Sequence, residues 1–93
     1  MKPNIREFVD LAGELIAVLE LLIENATEES DWMKPFAEAA ITNMREFIDM
    51  ASRGDLPSSD GAGLGISRGL GEWAPPHVCK LGNKVEKCFI EKC

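Results

Sequence analysis

Between Asn4 and Ala26 apolar side chains return every three or four residues, and the stripe they make is too broad for one neighbouring helix to cover. Ile5, Phe8, Val9, Ala12, Leu15, Ile16, Leu19, Leu22, Ile23 and Ala26 share one side at 100° per residue. Leu11 and Val18 widen it to roughly half the circumference. Pro3, followed by Asn4 with Glu7 three residues on, opens this segment as a capping box would, predicting a helix over about Asn4 to Asn25. Leu21 falls on the opposite, acidic side with Glu7, Asp10 and Glu14, as an exposed leucine or a partner contact.

A second amphipathic stretch follows. Met33, Phe36, Ala37, Ala40, Ile41, Met44, Phe47, Ile48 and Ala51 form its apolar face, with Lys34, Glu38, Arg45, Glu46, Asp49 and Arg53 outside it. Pro35 would clash with the preceding turn inside a helix, so the helix is expected to begin near Ser30 or Asp31, which leaves Thr27 to Ser30 as a turn or a short separate piece. Gly54 provides the stop.

Residues 54–76 change character: Gly54, Gly61, Gly63, Gly65, Gly69 and Gly71 stand there with Pro57, Pro75 and Pro76. Flexible linkers are polar, yet Leu56, Leu64, Ile66, Leu70 and Trp73 punctuate this stretch, predicting an ordered crossover with at most a short helical turn near Ile66 to Glu72. After Pro76 the pattern predicts one turn through Val78 and Leu81, a stop at Gly82, and a restart at Asn83, which has Glu86 three residues on. The last helix would cover about Lys84 to Lys92, with Val85, Cys88 and Phe89 inward. The expected fold is therefore all-α: residues 1–93 as one small helical domain, made of a long antiparallel hairpin over 1–53, an ordered Gly/Pro-rich crossover over 54–76, and a Cys-containing turn and short helix over 77–93. A chain of 93 residues buries only about 60–65% of its unfolded surface, and the broad first stripe wants several neighbours. Dimerisation into a four-helix-type core is the expected completion.

The net charge is −6, and the excess lies wholly in residues 1–53, which hold eleven Asp and Glu against five Lys and Arg. A field of that sign repels phosphate backbones and anionic headgroups, so neither nucleic acid nor a membrane surface is an expected partner. The run from Leu15 to Ile23 is too short, and carries Glu20, to span a bilayer. Glu7, Asp10 and Glu14 interrupt the first apolar stretch, no cleavage-site pattern follows, and the last four residues are not a prenylation box, so the expected setting is a reducing cytoplasm.

His77, Cys79, Cys88 and Cys93 are the only histidine and cysteines, and together they supply the atoms of a one-nitrogen, three-sulfur zinc site. The spacing lacks a Cys-x-x-Cys knuckle, and buried or free thiols are the competing reading, so no cofactor is expected beyond a candidate zinc. His77 beside Cys79 could also serve as a base to a thiolate, though adjacency in sequence is not geometry. The glycines miss the phosphate-loop spacing, since Ile66, Arg68 or Ala74 stands where a third glycine is needed. Arg68 between Ser67 and Gly69 remains a candidate anion contact, against an exposed loop arginine. Neither helix carries the Glu-x-x-His pair of di-iron bundles, so the carboxylates read as a solvated face.

Short length, one-sided acidity and the lack of a catalytic motif make a small acidic non-enzymatic interaction protein the leading expectation: an accessory subunit, adaptor or inhibitor with a basic protein partner, and itself a homodimer. A thiol- or metal-based sensor built on the His/Cys cluster is the alternative. A small enzyme with a pocket between crossover and hairpin is the third.

Overall fold

The computed structural model describes the backbone over residues 3–56 and 65–92, and the described residues form helices and turns without strands. Helix α1 runs Pro3–Glu24. Asn25 closes the helix by donating both its backbone N–H and its side-chain amide to the Leu21 carbonyl, at 2.9 and 3.0 Å. The chain then turns on Thr27 and Ser30. The Thr27 N–H reaches Ser30 Oγ at 2.8 Å, and the Ser30 N–H returns to the Thr27 carbonyl at 3.1 Å.

A single 3₁₀ turn, Asp31–Met33, leads into α2, Lys34–Arg53. Pro35 occupies the first turn, where its missing N–H removes no helical bond. Gly54 takes the left-handed conformation at φ 77°, and the N–H groups of Gly54 and Asp55 bond back to Ala51 and Met50. The crossover contains a six-residue helix α3, Ile66–Gly71, entered through Gly65 at φ 79°. Leu64 and the other residues of 57–64 lie outside the described residues.

The last helix departs from expectation. α4 runs without a break over Pro76–Lys92, so Gly82 does not stop it and Asn83 does not restart it. A glycine inside a helix costs about 1 kcal/mol relative to alanine. Here it permits packing that a side chain would block: a Cβ built on Gly82 would overlap Cδ1 of Leu70 in α3. Val78, Gly82, Val85 and Phe89 thus form one uninterrupted buried face, and its continuity outweighs the local stop signal.

α1 is the central helix, with α2 packed on one side and α4 on the other, while α3 packs on α4. The breadth of the α1 stripe is used within the chain. Phe8, Ala12, Leu15 and Leu19 are fully buried, Val9, Leu11, Ile16 and Val18 pack at the margins, and α4 covers what a two-helix hairpin would leave open. Phe8 meets Phe89 of α4 with ring centroids 5.8 Å apart and planes tilted by 55°. On the α2 side Ala37, Ile41, Met44 and Ala51 are buried. Leu21 is exposed, as its place among the acids predicts. Among the described residues no helix is long and apolar enough to cross a membrane.

Candidate functional site

The apolar arc of α2 is wider than α1 can cover. Ala37, Ile41 and Met44 point at α1, whereas Phe36, Ala40 and Phe47 lie to one side, facing the crossover. α3 and the turn after it come over this flank without closing on it. The result is an open cleft of about 220 Å³, with Leu15, Met44, Ile66 and Leu70 among its lining and Phe36 and Trp73 at its edge.

Local structure fixes the aromatic edge. Trp32 sits in the 3₁₀ turn and Phe36 in the first turn of α2, one helical step apart, and their rings meet edge to face at 6.2 Å and 73°. Phe36 in turn stacks on Trp73 at 6.0 Å and 24°. Trp73 follows α3 in a turn whose N–H groups, Trp73 at 3.2 Å and Ala74 at 2.8 Å, both reach the Leu70 carbonyl. The thiol of Cys79 lies against the same bend, its one proton within reach of the carbonyls of Leu70 at 3.6 Å and Ala74 at 3.5 Å. Trp32 and Phe36 remain 55% and 50% exposed, the two large aromatics the core leaves in solvent among the described residues.

Two polar side chains line the cleft, the carboxamide of Asn43 and the carboxylate of Glu72, and no Lys, Arg or His does. Glu46 repeats the helix position of Ala39 seven residues on and is exposed at the outer margin of the same face. The cleft is smaller than the roughly 300–1,000 Å³ usual for small-molecule sites. It has room for one or two apolar side chains.

The residues singled out by sequence are dispersed. His77 is exposed in the first turn of α4, Cys79 is half-buried against the crossover bend, and Cys88 is buried in the α1–α4 interface. On one continuous helix nine residues turn Cys79 and Cys88 about 180° apart and separate them by about 13 Å along the axis, while His77 and Cys88 stand about 16 Å apart along it. Three of the four candidate zinc ligands are therefore not brought together, and Cys93 lies outside the described residues. Among the described residues no group of three or more His, Cys, Asp or Glu is placed to hold a metal ion. Arg68 is exposed on α3, is not among the residues lining the cleft, and makes no ion pair among the described residues.

On the other side of α2 a shallow groove against α1 carries Glu20, Glu24 and Glu38 around Ile23 and Ile41. Arg45 reaches Glu20 across it at 4.0 Å, an exposed pair of little energetic weight. Sequence reasoning places a pocket between crossover and hairpin but misses its aromatic edge, because Trp32 precedes its helix and Trp73 follows another. Compared with protein-family models, curated proteins and solved structures, the chain gives no match.

Proposed function

We propose that the protein is a small non-enzymatic interaction module, an accessory subunit, adaptor or inhibitor, that binds a partner protein through the cleft edged by Phe36 and Trp73. The observation that supports this reading is the ladder Trp32, Phe36 and Trp73 beside an apolar recess, with Trp32 and Phe36 half in solvent and Trp73 partly buried. Large aromatics cost about 25 cal/mol per Å² of apolar surface left in water, and they are the side chains in which interface energy concentrates. The recess is preformed by α1, α2 and α3, so little ordering cost opposes docking.

The test is photo-crosslinking from a benzophenone group at the exposed rim position Ala39, followed by binding measurements with the purified crosslinked partner. Phe36→Ala and Trp73→Ala are expected to weaken that binding by about 30-fold or more, the scale of an interface hot spot. A partner that binds both variants like the parent protein overturns the assignment of the cleft.

A further inference from the structure

We infer that the occupant of the cleft is a basic amphipathic helix, which seats an apolar side chain in the recess beside the stacked rings of Phe36 and Trp73 and sets a lysine or arginine against Glu72. This rests on the reading of the cleft as a docking site and adds the chemistry of what docks. Charge carries it. The lining holds one ionisable side chain, the Glu72 carboxylate, and no cation, and Glu46 stands at the outer margin. The chain as a whole carries −6, so a second copy of it would bring like charge to the same rim, whereas a cationic partner is drawn in. Geometry selects the helix. The cleft follows α2 through Phe36, Asn43 and Phe47, about 16 Å along the helix axis, and its volume accepts anchors rather than a whole ligand. Amphipathic helices present such anchors at i, i+3, i+4 and i+7, with their charges at the flanks of the apolar stripe.

The probes are two synthetic amphipathic peptides of about five helical turns. Both have one leucine stripe, and their polar positions are all lysine in one and all glutamate in the other. Binding to the full chain is followed by amide and indole resonances at physiological salt, with sedimentation of the protein alone. The expected result is that the lysine peptide shifts the Trp73 and Trp32 indoles and the amides around Phe36 and Asn43. Glu72→Gln, which conserves volume, should weaken it about two- to fivefold, as rim ion pairs do, and added salt should do the same. Joint Glu20→Gln, Glu24→Gln and Glu38→Gln in the opposite groove should leave the cleft shifts in place. Shifts centred on Glu20, Glu24 and Glu38 instead would overturn the inference, as would a concentration-dependent dimer that Phe36→Ala dissolves. Equal binding of the glutamate peptide at the cleft refutes the charge argument and leaves the docking reading standing. If neither peptide nor a second copy touches the cleft residues, both readings fall.

Discussion

Gly82 in α4 lies against the buried side chain of Leu70 in α3, and that approach ties the crossover to the last helix. Gly82→Ala gains about 1 kcal/mol of helix propensity but forces Leu70 off its packing, at about 1–3 kcal/mol. The expected net effect is a loss near 1 kcal/mol, a fall in Tm of roughly 4–8 °C for a chain of this size. Leu70→Ala alone should cost about 2–4 kcal/mol, and the double variant should cost less than the sum because the new methyl occupies vacated space. Strict additivity of the two in denaturant melts would contradict the contact.

Gly13 gives the opposite sign. It is exposed in the middle of α1, and a Cβ there meets nothing within 4 Å. Gly13→Ala should therefore stabilise the protein by about 0.5–1 kcal/mol, through lower unfolded-chain entropy and better helix propensity. A thermal melt that moves down rather than up would show that α1 is not regular at this position.

The pair Phe8 and Phe89 holds α4 on α1, with both side chains almost wholly buried. Phe89→Leu should cost about 1–2 kcal/mol, and Phe89→Ala about 3–5 kcal/mol, a large part of the stability of a small domain. With the milder variant, hydrogen exchange should show amides from Val85 onward losing more protection than those of α2. Uniform loss over all helices would mean that α4 does not open separately.

How far the sequence reaches is visible at particular residues. Pro35 and Gly54 set the ends of α2 because their backbone constraints are local, and the structure keeps both. Gly82 and the Asn83–Glu86 pattern are local signals too, yet they yield to a buried face that continues through them. What decides there is Leu70, twelve residues earlier, and no local pattern reveals it. The same holds for the broad stripe of α1. Its demand for several neighbours is legible, but α4 supplies one from within the chain, and only the packing of Phe8 on Phe89 shows it. In the cleft, Phe36 is readable as the edge of a stripe; its stacking on Trp73 depends on where the crossover lands.

The two described thiols should separate by reactivity. Cys88 is buried between α1 and α4, whereas Cys79 is half-buried and hydrogen-bonded to the carbonyls of Leu70 and Ala74. Alkylation followed by peptide mass should modify Cys79 at least about tenfold faster in native buffer, since Cys88 is reached only through opening of the α1–α4 interface. Cys79→Ser keeps one hydroxyl proton for these two carbonyls and Cys79→Ala keeps none, so the alanine variant should be the less stable of the two, by about 0.5 kcal/mol. The bend also carries Trp73, so Cys79→Ala is expected to shift the indole resonance of Trp73 while leaving Phe89 unmoved. Native-state modification of Cys88 as rapid as that of Cys79 would mean that the last turns of α4 are not docked on α1.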